Sequence, residues 1–164
     1  KVALESLASF RGVERRFDLR GTSQGVTFVD DYAHLPREID VVLRGARDLS
    51  DDWKRVVAVF QPNRYNRMNT MSPAYRDAFV RADLVVVTEI YASGTTPIPG
   101  VTGKLVVDAI RAAHPTTKVE WIADRGDLVT YLAGELRDGD LCISMGCGDI
   151  ESLPDEVIAA RERR

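Results

Sequence analysis

Two cysteines and two histidines in 164 residues exclude several common protein classes at once. Cys142 and Cys147 are too few for a disulfide framework, and their spacing is neither CxxC nor that of a zinc finger. A reduced, cytoplasmic setting is the default expectation. His34 and His114 are tied to Cys147 by no local sequence, so a cysteine nucleophile is not expected, nor is a resident metal. No apolar run approaches the ~18–20 residues that a membrane helix needs. No basic stretch followed by an apolar core opens the sequence, so no signal peptide is expected. Basic residues are not in excess: 22 Lys+Arg stand against 25 Asp+Glu, a formal net charge of −3, which gives nucleic-acid binding no support. GxGxxG and GxxxxGK[ST] are both missing, as are internal repeats, low-complexity tracts and long linkers. What remains is 45% hydrophobic and 29% charged, the make-up of one ordinary globular domain.

The apolar pattern alternates between two periods. Residues 1–10 (KVALESLASF) have apolar positions suited to a short helix that starts without a cap, which reads as a cut into a longer chain. Two short strands are predicted at 15–20 and 26–30, joined through GTSQG. Ile39, Val42, Leu43, Ala46 and Leu49 then fall at helical spacing behind Pro36. RVVAVF at 55–60 reads as a buried strand, and Ser72-Pro73 as a helix start with Tyr75, Ala78, Phe79 and Ala82 on one face. Strands at 84–87, 119–122 and 140–144 alternate with helix faces at Leu105, Val106, Ala109 and Ile110, at Leu128, Val129, Leu132 and Ala133, and after Pro154. His114, Trp53 and Trp121 read as helix-end and packing residues. The fold expected is α/β: a doubly wound, mostly parallel sheet with helices on both faces, Rossmann-like, with an N-terminal antiparallel edge hairpin. Ligands of such sheets bind beyond the carboxyl ends of the strands.

Four polar or glycine-rich segments follow strands: DDYAHLP at 30–36, QPNRYNR at 61–67, EIYASG at 89–94 and MGCGDI at 145–150. In a parallel sheet all four converge on one rim. The two aspartates could accept hydrogen bonds from ribose hydroxyls or hold a cation, and the Tyr32 ring could lie against a base. An Asp-rich helix start with a solvated His34 explains the same residues. Arg64 and Arg67, three apart, would aim two guanidinium forks at one anion, although an exposed basic loop would look alike. Arg15 and Arg16 offer similar chemistry before Phe17. The glycines of MGCGD would let backbone N–H groups approach an anion.

Taken in order, RRFD, DDYAHLP, FQPNRYNR, EIYASGTTPIPGV and MGCGDI resemble the C-terminal domain of the Mur ligases, ATP-dependent amide ligases that build the peptidoglycan stem peptide. The resemblance runs from Phe10 through nearly the whole chain. DYAHxP is common to the sister ligases, whereas FQPxRxxR and PIPGV point to the alanine-adding branch; the branch that attaches a preformed tripeptide is the nearest competitor. The resemblance implies residues 1–10 as the tail of a preceding central-domain helix and 11–164 as the C-terminal domain. It implies that Arg16 contacts ATP phosphate, that Asp31 holds the ribose hydroxyls and that Tyr32 lies beside the nucleoside. His34, Arg64 and Arg67 would surround the amino-acid carboxylate and the acyl phosphate, with Ser144, Met145, Gly146 and Gly148 lining the same rim. Leu35, Asn63 and Asp149 stand where the family often has His, His and Asn, which leaves the role of Asp31 intact. The implied substrates are ATP, UDP-N-acetylmuramate and L-alanine, with Mg²⁺ held mainly by a central domain. The N-terminal and central domains of the same chain are the implied partners. Without a P-loop the 164 residues are expected to be inactive alone. A stand-alone nucleotide-binding module is the alternative.

Overall fold

Valine-rich runs form the middle of the molecule because β-branched side chains suit a pleated surface buried on both faces. The computed structural model describes residues 15–49 and 53–164, so the helix tail expected at 1–10 lies outside the described residues. In chain order the elements are β1 (Asp18–Ser23), β2 (Val26–Asp31), α1 (Pro36–Leu49), β3 (Arg55–Phe60), α2 (Tyr65–Met71), a 3₁₀ turn (Ser72–Asp77), β4 (Leu84–Val87), α3 (Lys104–Ala113), β5 (Val119–Trp121), α4 (Arg125–Glu135), β6 (Asp140–Met145), a second 3₁₀ turn (Asp149–Ser152) and α5 (Leu153–Glu162).

Among the described residues the strands make one six-stranded sheet in the order β1-β2-β6-β3-β4-β5. Only the β1–β2 pair is antiparallel. The expected doubly wound sheet with an antiparallel edge hairpin is what forms. One cluster, with Ile39, Leu43 and Ala46 of α1, Tyr75, Phe79 and Ile110, covers one face. A second, with Leu128, Leu132, Leu153 and Val157 of α4 and α5, covers the other.

Three local expectations are corrected. The β1–β2 turn is two residues, Gln24 (φ 47°) and Gly25 (φ 74°), because left-handed backbone at both positions matches the twist of a hairpin; Gly21–Ser23 stay in the strand. The 65–71 segment is α-helical, while Ser72-Pro73 starts a 3₁₀ turn rather than a longer helix. Trp121 is 37% exposed on the edge strand rather than packed.

Register decides where the site lies. Asp31 pairs with Met145, Met145 with Phe60, Phe60 with Val87 and Val87 with Trp121. Five parallel strands therefore end level. Because β6 inserts between β2 and β3, the segments after β2, β6 and β3 emerge side by side. No helix among the described residues is long and apolar enough to cross a membrane.

Candidate functional site

At the rim, main-chain hydrogen bonds tie the predicted segments together. Gly146 N donates to Asp31 O (3.2 Å), Gln61 N to Met145 O (3.0 Å), Arg64 N to Tyr91 O (2.9 Å) and Tyr32 N to Arg15 O (2.7 Å). The chain entering β1 is thus laced to the end of β2.

Two adjacent arginines part company here. Arg15 turns inward: Nε donates to the fully buried Asp30 (2.8 Å), Nη2 to Gly146 O (2.8 Å), and Glu151 lies 3.2 Å from Nη1. Burial lowers its basicity, but the Asp30 carboxylate outweighs that and raises it. Arg15 and Phe17 both have positive φ, 58° and 48°, and Arg16 between them keeps its side chain half exposed. Arg16 lies 3.9 Å from Asp31 Oδ1 and 5.7 Å from the Tyr32 ring centre. Asp31 is buried and accepts Ala33 N and Phe17 N, each at 2.8 Å. Burial pushes its carboxyl up, against those N–H groups and Arg16. Each oxygen keeps a lone pair for a further donor. Arg16 and Asp31 border a cleft of about 520 Å³ with Leu35, Val41 and Val42 as its apolar wall.

Tyr32 is 38% exposed, with Arg15 over its ring at 5.2 Å. Next to it, His34 sets its ring edge-on to Tyr32 (5.5 Å, 84°). The His34 carbonyl accepts the Tyr75 hydroxyl at 2.7 Å. Tyr75 is fully buried, burial pushes its phenol up to about 12, and Arg67 and Cys147 lie near enough to bias it. Arg67 donates to the buried Asn63 (2.7 Å). Arg64 precedes α2 with φ 63° and ψ 115°, is exposed, and shares a cleft of about 380 Å³ with Arg67. The structure thus gathers Arg16, Asp31, Tyr32, His34, Arg64 and Arg67 on one rim.

Ser144 and Met145 do not line it. Both are buried in β6, and the Ser144 hydroxyl donates to Asp30 (3.0 Å). Nor do the glycines of the following turn stand open for an anion. A Cβ on Gly148 would run into the Tyr91 ring and Gln61; one on Gly146 (φ 150°) would meet Gln61 O and Ile150 at 3.0 Å. Close packing requires glycine at both places, and at Gly146 the positive φ does so as well. Cys142 is buried, which pushes its thiol up to about 12, as suits a packing residue. Sequence reasoning did not separate Arg15 from Arg16 and gave no site role to Glu38, Tyr75 or Gln61, which fix the rim: Gln61 bonds both Asp149 (2.7 Å) and Ile150 N (3.3 Å). Their signal was only their place beside the motifs. Among the described residues no three His, Cys, Asp or Glu side chains group together.

Residues 15–148 match the family described as "Mur ligase, glutamate ligase domain". The chain is 45% identical over 157 residues (96% of it) to the UDP-N-acetylmuramate–L-alanine ligase of Rubrobacter xylanophilus, and covers 35% of that protein. It is 42% identical over 163 residues (99%) to the ligase of the same name from Anaeromyxobacter dehalogenans strain 2CP-1, covering 34% of it. It spans about a third of the length of these curated relatives. The crystal structure of the UDP-N-acetylmuramate-alanine ligase of Thermotoga maritima superposes with a TM-score of 0.78 at 26% identity, over 98% of this chain and 33% of that one.

Proposed function

Because the chain belongs to the Mur ligase family, through its glutamate ligase domain, we propose that it is the C-terminal domain, residues 11–164, of an ATP-dependent ligase. That ligase joins L-alanine to UDP-N-acetylmuramate in the cytoplasm. The observation that carries this reading is 42–45% identity to L-alanine ligases along almost the whole chain. The level strand ends, with three arginines facing one rim, support it.

In this reading the cleft beside α1 takes the nucleoside. Its apolar wall shelters the base, Asp31 accepts from the ribose hydroxyls, and Arg16, the outward member of the pair, meets phosphate. His34, Arg64 and Arg67 surround the carboxylate of the amino acid and the activated carboxyl of the sugar nucleotide. Cations held there stabilise negative charge as it shifts onto the leaving phosphate, without rearrangement at the moment of reaction. Mg²⁺ would be held mainly by the central domain, and the N-terminal and central domains complete the site when the domains close.

The test is ATP-dependent incorporation of L-alanine into UDP-N-acetylmuramate by the full-length protein, with the preformed tripeptide as competing acceptor. Asp31→Ala and Arg64→Ala are expected to lower kcat/KM at least a hundredfold, about 2.7 kcal/mol of transition-state stabilisation. Preference for tripeptide over alanine would transfer the chain to the recycling branch. Unchanged rates in both variants would overturn the site.

A further inference from the structure

The side chain that faces His34 from α1 has no assigned task. Glu38 Oε2 accepts His34 N at 3.0 Å and Leu35 N at 3.1 Å, and stands 3.4 Å from His34 Nδ1. The Tyr32 carbonyl lies 3.1 Å from the same Nδ1. We propose that Glu38 is a positioning residue that makes His34 work as an imidazolium, its Nε2–H offered to an anion at the rim. The inference rests on the reading that places His34 beside the substrate carboxylate and acyl phosphate.

The argument is one of donors and acceptors. A carbonyl only accepts, and so does an ionised carboxylate, so two acceptors at Nδ1 fix a proton there. Burial pushes the Glu38 carboxyl up, but the His34 and Leu35 N–H groups outweigh it and hold it below the usual glutamate range, ionised at neutral pH. In a neutral ring of this tautomer Nε2 carries a lone pair, which repels carboxylate and phosphate. Only a second proton turns Nε2 into a donor, and the Glu38 carboxylate stands 3.4 Å from Nδ1 to face that charge. The ring has little freedom to escape: its side chain is 18% exposed, its edge meets Tyr32, and Tyr75 pins its carbonyl.

The other groups around His34 do not compete for this role. Tyr75, from the Ser72–Asp77 turn, is a neutral donor because burial pushes it up to about 12. Arg67 and Cys147 lie beyond it; Arg15 and Arg16 flank Tyr32; Asp31 is turned to Ala33, Phe17 and Arg16. Glu38 is therefore the carboxylate against the ring among the described residues.

Glu38→Gln separates the electrostatic role from the structural one. Its amide oxygen still accepts both N–H groups, so the urea midpoint of the variant should scarcely move, but the charge is gone. In full-length enzyme, kcat/KM for the amino acid should fall on an alkaline limb, which E38Q moves to lower pH. On that limb E38Q should lose about threefold to tenfold in kcat/KM for the amino acid. In the 164-residue chain, ¹⁵N NMR of the ring should show the neutral form protonated on Nδ1 and the titration of His34 moved down by E38Q. A neutral ring protonated on Nε2, a titration that E38Q leaves in place, or an acid limb in its stead overturns the proposal. The two readings fail separately. If His34→Asn abolishes ligation while NMR gives either contrary result, only this inference falls. If His34→Asn leaves ligation intact, both fall.

Discussion

A backbone angle decides what Arg64 is for. At φ 63° and ψ 115°, with no side-chain cap bond, it occupies a conformation that L-residues avoid, held by its N–H on Tyr91 O and by the bridge between Asn63 and Tyr91. Glycine at this place would fold more easily, so the arginine is retained for its side chain. Arg64→Gly should exceed Arg64→Ala in stability by about 1 kcal/mol in urea denaturation, while both lose ligation. If alanine proved the more stable, the strain would lie elsewhere. The same logic sorts Arg15 from Arg16. Side by side in sequence they are chemically identical, yet in the folded chain, with positive φ at Arg15 and Phe17, one reaches Asp30 and the other stays half exposed. No residue-level pattern announces that choice, which is why both read alike from sequence.

Helix starts and strand ends carry the next level of argument. α1 has no Ser, Thr or Asp before Pro36; Glu38 closes it from within by taking the N–H groups of His34 and Leu35. Glu38→Ala should cost about 1 kcal/mol at neutral pH. Since the carboxyl is held low in the folded chain, this contribution is full above the ordinary value of 4.5 and is lost as pH falls through the folded one. The stability gap between wild type and Glu38→Ala should therefore narrow on acidification; a gap that widened would contradict the cap. Elements with one strong period were legible: RVVAVF gave β3 residue for residue, and Ile39, Leu43 and Ala46 gave the buried face of α1. α2 was not, because YNRMNTM buries Met68 alone and shows no apolar stripe. That the four segments meet at one end of the sheet was legible from strand ends in a parallel sheet. Ser144 and Met145 were misread because every residue of β6 is buried, so nothing in its sequence marks where the strand stops and the rim begins.

Across the whole molecule, charge is divided between the two ends of the sheet. At the end away from the rim, Arg55 binds the buried Asp140 through two nitrogens (3.0 and 2.7 Å) and Glu135 at 2.7 Å, and Asp140 also accepts Arg137 N. Asp140→Ala leaves the part-buried Arg55 guanidinium to Glu135 alone and the Arg137 N–H without its acceptor, and should destabilise the chain by about 2 kcal/mol. In the full-length protein, KM for ATP should be unaffected at temperatures where the variant is folded; a changed KM would show the two ends to be coupled. Ligation by the 164 residues alone should be undetectable, and turnover should appear only when the segment carrying a GxxxxGK[ST] loop is joined to them. Finally, the chain enters the sheet through Arg15–Phe17, whose main chain and side chains are bonded to Tyr32, Asp30 and Asp31. A turn about that entry would have its pivot beside Arg16 and Asp31. Arg64, beyond β6 on the far side of two strand spacings of roughly 4.8 Å each, is the longer lever arm. A rotation there carries Arg64 through the wider arc and leaves Arg16 and Asp31 nearly where they stood.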